Sequence, residues 1–384
     1  MHVPATSVSN PVQPARLLLE GLFSKEAPGQ ACSAQAEALG VAWLRAQGLA
    51  PMAWHALQSV PGMPPDFASE LHIAYYAALA DAELHERELK RVLQALSAQG
   101  VQPVMFKGAA LAYTVYPAPA CRPMGDLDLW VMAEEIPQAR AALEAIGYAC
   151  HTKSRRPLAM MKQNSGELQM VSAQAGSGLV ELHWGTFAGE WLSRAANVDE
   201  AGLRARGVGL SLVGHEVLAL APEDALIQLA VHWAINHQLA YPWLRALVDV
   251  VLLARAQPVD WQVLAQRARA WRVSAAVWLV LSLAVELAGL EEARPAVSQL
   301  APSRQRAWLL DRLANAASVV EMRDLREGGA RFVYLLLMAE RWQDAARLFW
   351  RALWPEHAWL LARYGQSGLA VQVRHLFNAI RGRL

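Results

Sequence analysis

Cysteine is scarce in this chain of 384 residues. Cys32, Cys121 and Cys150 are far apart, odd in number and without the spacing of a metal site. The pattern indicates neither a disulfide framework nor a cysteine metal centre, and it suits a reducing cytoplasm. The sequence also shows no internal repeat and no low-complexity linker.

Long apolar runs are missing as well. The first ten residues contain no basic region followed by an apolar one, as a signal peptide would. The most apolar stretch, residues 273–290, follows Arg272 and contains Glu286, whereas a membrane span needs roughly 20 apolar residues. We therefore expect no signal peptide, no membrane span and a cytoplasmic location.

Charge is sparse and nearly balanced. Charged residues make up 18% of the chain, hydrophobic residues 54%, and the net charge is +1. This composition indicates a folded protein with a substantial core and gives no general attraction to nucleic acid or anionic membrane. Arginine is concentrated at the end, with seven arginines and two acids from Arg341 onward. Those arginines could bind phosphate, although a solvated helix face is the simpler interpretation.

The hydrophobic periodicity divides the chain into three parts. Helical periodicity dominates residues 1–80, a mixed pattern of short strands and helices follows over residues 81–190, and residues 191–384 are again helical. A short apolar strand or loop around residues 208–213 interrupts the last part. The sequence predicts an α+β protein, in which a small mixed-sheet core lies between a helical N-terminal segment and a large all-helical C-terminal domain.

The most informative segment is Asp126-Leu127-Asp128-Leu129-Trp130-Val131, which alternates with period two and so predicts a strand. Asp126 and Asp128 then share one face, with their backbones about 6.6 Å apart. Leu127, Leu129 and Val131 point into the core. Two carboxylates this close repel unless a cation or proton lies between them. Hard oxygen ligands favour Mg²⁺ or Mn²⁺, and Mg²⁺ often bridges to phosphates, so the segment predicts a metal–nucleotide site.

Further motifs surround this strand in a specific order. A strand over residues 101–106 ends at the turn Lys107-Gly108, and Arg122 precedes Asp126 by four residues. Residues 167–172 and 179–184 predict a hairpin, whose second strand contains Glu181 and His183. The ordered set resembles the uncharacterised bacterial nucleotidyltransferase family of the DNA polymerase β-like superfamily, over roughly residues 80–260.

The resemblance implies that three carboxylates hold divalent metal ions for catalysis. In that superfamily two aspartates lie on one strand and a third acid lies on a neighbouring strand, so the residues here are Asp126, Asp128 and Glu181. Glu167 is an alternative third acid. His183 shares the strand face of Glu181, and it either orients that acid, touches phosphate or is a core histidine.

The resemblance also implies a triphosphate cradle at Lys107-Gly108. The superfamily places a serine after the glycine, whereas this chain has Ala109. Lys107 and the amides of the following helix could replace the missing hydroxyl, because a helix N-terminus favours anions. Arg122 is a candidate to bind phosphate oxygens with its guanidinium. A plain surface lysine at the end of a strand is the alternative interpretation of Lys107.

A second polar cluster lies further along the chain. His232 and His237 are five residues apart, which points them to different faces of an α-helix and makes a zinc pair improbable. Arg245 and Asp249 are four apart and could form a helix pair. Helix packing explains this cluster more simply than binding of a base or acceptor by His232, Trp243 and Arg245.

These observations favour a Mg²⁺-dependent nucleotidyltransferase. Its donor would be an NTP, and its acceptor a hydroxyl or phosphate of an unidentified small molecule, peptide or saccharide. A metal-dependent glycosyltransferase also uses Asp-x-Asp, but it would normally have a larger α/β unit before the motif. A non-catalytic nucleotide- or protein-binding module on the same fold is the third possibility, supported by the missing serine.

Overall fold

The computed structural model describes residues 10–24, 29–151, 166–172, 178–241, 243–325 and 330–380. The α-helices that we name are α1 (Val12–Leu22), α2 (Gln30–Leu39), α3 (Val41–Ala46), α4 (Ala50–Leu57), α5 (Pro65–Ala98), α6 (Lys107–Thr114), α7 (Ile136–Ala145), α8 (Glu190–Ala195), α9 (Glu200–Ala205), α10 (Pro222–Val231), α11 (Leu244–Ala256), α12 (Trp261–Ala270), α13 (Ser274–Ala288), α14 (Arg294–Leu300), α15 (Arg304–Leu313), α16 (Ala316–Val320), α17 (Ala330–Met338), α18 (Trp342–Leu353), α19 (His357–Tyr364) and α20 (Leu369–Ile380). The strands are β1 (Val104–Met105), β2 (Asp126–Trp130), β3 (Tyr148–His151), β4 (Glu167–Ser172), β5 (Leu179–His183), β6 (Val208–Leu212) and β7 (His215–Ala219). A π-helical turn, His232–Asn236, follows α10.

Within the described residues the strands form one seven-stranded mixed sheet, in the order β3-β4-β5-β2-β1-β7-β6. β2 runs parallel to β5, and β1 runs parallel to β7. The other neighbouring pairs are antiparallel. The expected α+β class and the antiparallel pairing of the strands at 167–172 and 179–184 are confirmed.

The two faces of the sheet differ in polarity. Leu127, Leu129 and Val131 are fully buried, as the alternation in β2 predicted. They pack in a core with Leu93 of α5 and Leu143 of α7. Because side chains alternate along a strand, the aspartates of β2 point to the opposite face. That face contains the candidate site.

The sheet uses residues beyond the predicted core boundary at 190. β6 and β7 lie within the range predicted to be a helical C-terminal domain, and β7 extends the sheet by pairing with β1. Val213 and Gly214 join them with positive φ angles of 48° and 85°. A two-residue hairpin turn with both φ angles positive matches the twist of the flanking strands. The division into three domains stays a prediction.

No helix among the described residues is both long enough and apolar enough to cross a membrane. The 34-residue helix α5 owes its length to an amphipathic pattern, with Leu89, Val92 and Leu96 buried and charged residues on the other side. All three cysteines lie in the described chain, and each is a free thiol.

Candidate functional site

The polar face of the sheet follows from the register of three strands. Asp128 of β2 lies opposite Glu181 of β5, and Glu181 lies opposite Gln169 of β4. Asp126 and His183 point to the same face, because each is two residues from Asp128 or Glu181. The structure therefore brings the predicted acids of β2 and β5 to one side of the sheet.

Two of these acids and the histidine form a compact group. His183 Nε2 lies 2.9 Å from Asp128 Oδ1 and 3.7 Å from Glu181 Oε2. Among the described residues, one ligand atom each of Asp128, Glu181 and His183 lies within 4.8 Å of the others, so the group could hold a metal ion. Asp126 is half-buried and lies outside this group. His183, for which the sequence left three roles open, is the third member of the group. The metal-binding role of Asp126 stays a prediction.

Lys107 supplies a positive charge to the acids. Its Nζ lies 2.7 Å from Asp128 Oδ1, and both side chains are buried. Its φ of 52° is in the left-handed region, which a residue with a Cβ rarely adopts and which often marks functional sites. Burial alone would lower the pKa of Lys107, but the negative charges of Asp128 and Glu181 outweigh it and raise that pKa. Lys107 is therefore a buried ammonium group at the site.

The carboxylates differ in how readily they ionise. Burial opposes ionisation of Asp128, but the Lys107 charge and the His183 hydrogen bond hold its pKa well below the ordinary value. Burial also opposes ionisation of Glu181, but the His183 ring 3.7 Å away and the Lys107 charge lower its pKa. Burial raises the pKa of Glu167. Of the two acids, Glu181 is the one that belongs to the group of possible metal ligands.

His183 links the carboxylates on three strands. It is fully buried, its Nδ1 lies 3.5 Å from Glu167 Oε2, and Phe106 packs edge-on against its ring. Nδ1 has no hydrogen-bond partner among the described residues. Burial and the Lys107 charge disfavour the imidazolium form. The hydrogen bond to Asp128 and the nearby Glu181 carboxylate outweigh them, so the pKa of His183 is raised above its ordinary value of 6.5.

This shift predicts a pH dependence. Because the folded-state pKa of His183 is raised, its stabilising contribution is complete below pH 6.5 and is lost as pH rises through the folded pKa. Metal binding requires the neutral ring, so metal affinity should increase over the same pH interval. An NMR titration of the metal-free protein should give a His183 midpoint above 6.5, and Asp128→Asn should lower that midpoint. A wild-type midpoint below 6.5 would contradict the assigned hydrogen bonds.

Arg122 has a different environment from the one predicted. Its Nε and Nη2 donate to Asp249 Oδ1 and Oδ2 at 3.0 and 2.8 Å, and Tyr116 Oη donates to Asp249 Oδ1 at 2.7 Å. The Arg122 side chain is buried. These contacts occupy Nε and Nη2 of the guanidinium, and the binding of phosphate by Arg122 stays a prediction. Arg122 therefore joins the loop before β2 to helix α11.

The same arginine leaves no space for a side chain at position 108, which is occupied by glycine. A Cβ at this position would lie 2.4 Å from Arg122 Nη1, 3.0 Å from Arg122 Cζ and 3.1 Å from Met124 Sδ. The first distance is impossible for real atoms, and the guanidinium cannot yield easily because Asp249 holds it. The sequence attributed the glycine to phosphate approach, whereas the structure shows close packing against Arg122.

Gly108→Ala should therefore destabilise the fold by about 1–3 kcal/mol, the range for overpacking a core. Gly125→Ala is the matched control, because no described heavy atom outside its chain neighbours lies within 4 Å of a Cβ there and its φ is not positive. Urea unfolding of both variants gives the measurement. Equal stabilities would show that Arg122 has room to move.

The second polar cluster differs from the expectation in two respects. The π-helical turn carries His237 back beside His232, with their Nε2 atoms 3.0 Å apart, so the prediction of different faces is wrong. A π-helix closes i to i+5 hydrogen bonds, which aligns residues five apart. Asp249 pairs with Arg122, while Arg245 donates to the carbonyl of Pro123. Buried Trp243 agrees with the packing interpretation.

The sequence reasoning missed Gln169 and assigned Asp249 a different partner, Arg245. Gln169 Nε2 donates to Glu181 Oε1 at 3.0 Å and thereby orients the third acid. Its alternation with Glu167 along β4 was a usable signal, since both point to the acid face. Asp249 lies 127 residues from Arg122, and no local pattern marks such a pair.

The comparison with protein families agrees with this geometry. Residues 35–289, about two thirds of the chain, match the family of uncharacterised nucleotidyltransferases. The chain belongs to this family. Searches of curated proteins and of solved structures give no significant match.

Proposed function

We propose that the protein is a metal-dependent nucleotidyltransferase. It would transfer the nucleotidyl group of an NTP to a hydroxyl or phosphate of an acceptor, which we place among small molecules, peptides and saccharides of the cytoplasm. The observation that carries the proposal is the register of β2 and β5, which sets Asp128 directly opposite Glu181, with His183 hydrogen-bonded to Asp128 and 3.7 Å from Glu181. This arrangement matches the acid pattern of the DNA polymerase β-like superfamily, in which we place the family.

The donor set fits a divalent cation. Asp128 and Glu181 are ionised acids in a buried site, and the Lys107 ammonium shows that the site accepts positive charge. Carboxylates suit Mg²⁺, and the additional imidazole also suits Mn²⁺. Asp128 and Glu181 would hold the ion with Asp126 next to them on β2. When bound, such ions neutralise a triphosphate and lower the pKa of an attacking hydroxyl.

Other residues of the chain would bind and orient the donor. The first amides of α6 begin at Lys107, directly beside the acid cluster, and a helix N-terminus attracts phosphate. Lys107 would contact the phosphates as a mobile ammonium group when it leaves Asp128. Ala109 is fully buried in the core, so no side chain substitutes there for the missing hydroxyl. Gln169 and His183 would hold Glu181 in place.

The position of the isotope label in the NTP distinguishes nucleotidyl transfer from other reactions. The protein is incubated with Mg²⁺ or Mn²⁺, a small-molecule and protein extract, and ATP, GTP, CTP or UTP labelled at either the α- or the γ-phosphorus. Nucleotidyl transfer retains the α-label on the acceptor and releases the γ-label in pyrophosphate. Mass spectrometry then identifies the acceptor by its added mass. Retention of the γ-label, or turnover of nucleotide sugars alone, would overturn the proposal.

A non-catalytic nucleotide-binding module is the second candidate, and one observation favours it. The buried Lys107–Asp128 pair neutralises the central acid without any metal, and Ala109 removes a phosphate contact. Calorimetry with a non-hydrolysable NTP distinguishes the two functions. Metal-dependent binding together with no label transfer to any acceptor would support the module.

A further inference from the structure

The last three helices expose an unusual amount of apolar surface. Trp342, Phe349 and Trp350 of α18 are 78%, 47% and 63% exposed, and Leu369, Val373 and Phe377 of α20 are 73%, 39% and 56% exposed. We call these six residues the C-terminal apolar surface. Contiguous exposed apolar patches generally mark interaction sites.

Helical geometry makes each set of three a stripe. Trp342, Phe349 and Trp350 are spaced i, i+7 and i+8, and Leu369, Val373 and Phe377 are spaced i, i+4 and i+8, so each set lies on one side of its helix. A groove of about 820 Å³ lies between the helices, and its lining includes Trp350 and Leu369. One residue of each stripe, Trp350 and Leu369, therefore lines a common groove.

The charge of this region is strongly positive. From Arg341 to the end the sequence contains seven arginines and two acids, which leaves 28 basic and 32 acidic residues in the rest of the chain. Asp344 is buried, bonded to Arg341 and 3.8 Å from Arg347, whose side chain is 77% exposed. Glu356 is paired with Arg351 and Arg194. The balanced net charge of the whole chain hides this local excess.

We propose that the C-terminal apolar surface binds an anionic lipid bilayer. Amphipathic helices with Trp, Phe and Leu on one face and arginines beside them bind at the headgroup boundary of anionic membranes. Tryptophan is enriched at such boundaries because its ring is apolar and its N–H is polar. A second copy of the chain is the less suitable occupant, because two surfaces of this charge would repel each other. The helices would lie on the bilayer, since none of those described can span it.

Co-sedimentation of the full chain with vesicles tests this proposal without nucleotide. The protein should bind vesicles of phosphatidylcholine mixed with phosphatidylglycerol, and bind at least tenfold more weakly to phosphatidylcholine alone (an order-of-magnitude expectation). Added salt should release it, because screening shortens the reach of surface charge.

Pairs of variants test whether the C-terminal apolar surface is the part of the protein that binds vesicles. The double variant Trp342→Ser with Leu369→Ser should weaken vesicle binding by about tenfold or more, since each side chain would otherwise be buried in the bilayer. Its control is Trp308→Ser, because Trp308 of α15 is 58% exposed but lies outside the surface. For charge, Arg347→Glu is compared with Arg87→Glu, since the two arginine side chains are 77% and 76% exposed. Melting temperatures verify that the variants fold.

Three results would overturn the proposal. The first is equal sedimentation with both kinds of vesicle, and the second is unchanged binding by the double variant and by Arg347→Glu. The third is a stable dimer that the double variant dissociates while wild-type protein ignores vesicles, which would assign the surface to a second copy. None of these results bears on nucleotidyl transfer, which is measured separately with labelled NTPs.

Discussion

Replacing Asp128 with asparagine should abolish nucleotidyl transfer, with a loss of at least about 10²–10³-fold in rate. The change removes a charge that could bind a metal ion and that lies opposite Glu181 across β2 and β5. It also leaves the buried Lys107 ammonium without its closest counter-charge, so the free energy of unfolding should fall by about 3–5 kcal/mol. Label transfer and urea unfolding measure the two effects.

A second substitution separates catalysis from stability. Asp128→Asn combined with Lys107→Met removes the uncompensated cation, so the double variant should regain part of the lost stability while transfer stays absent. Glu144→Gln, at an exposed acid of α7, should behave as wild type in both assays. Wild-type turnover by Asp128→Asn with Mg²⁺ would refute the metal mechanism.

Replacing Arg122 with alanine should destabilise the protein by about 3–5 kcal/mol. The substitution leaves the Asp249 carboxylate buried, with Tyr116 as its remaining hydrogen-bond donor among the contacts described above. The sequence predicted the reverse, namely that Arg122 would matter more for NTP binding than for stability. Urea unfolding and calorimetry with a non-hydrolysable NTP distinguish the two roles.

Arg87→Ala is the matched control for this variant. The Arg87 side chain is 76% exposed and lies 3.8 Å from Glu83, so its ion pair should contribute less than about 1 kcal/mol. If Arg122→Ala unfolded like Arg87→Ala but lost nucleotide affinity, Arg122 would be a phosphate ligand after all. The Arg122–Asp249 ion pair would then exist only before the NTP binds, and NTP binding would break it.

Some features of the site could be predicted because their cause is local. Alternation of polar and apolar residues at Asp126-Leu127-Asp128-Leu129 fixes both the strand and the two faces, whatever lies around them. The same alternation predicted that Glu181 and His183 share a face. Burial of Leu127 and Leu129 confirms the pattern. Strand period and hydrophobicity thus determined which side chains could meet.

Only the tertiary structure decided which of these side chains are in contact. The parallel pairing of β2 with β5, the addition of β6 and β7 to the sheet, and the bond from Arg122 to Asp249 join residues far apart in sequence. Such contacts depend on loop closure and on the packing of whole elements, for which a single sequence has no local signal. For the same reason the sequence could not predict how Arg122 and Gly108 pack. It predicted phosphate binding for both residues, and in the structure Gly108 packs against the Arg122 guanidinium that Asp249 holds.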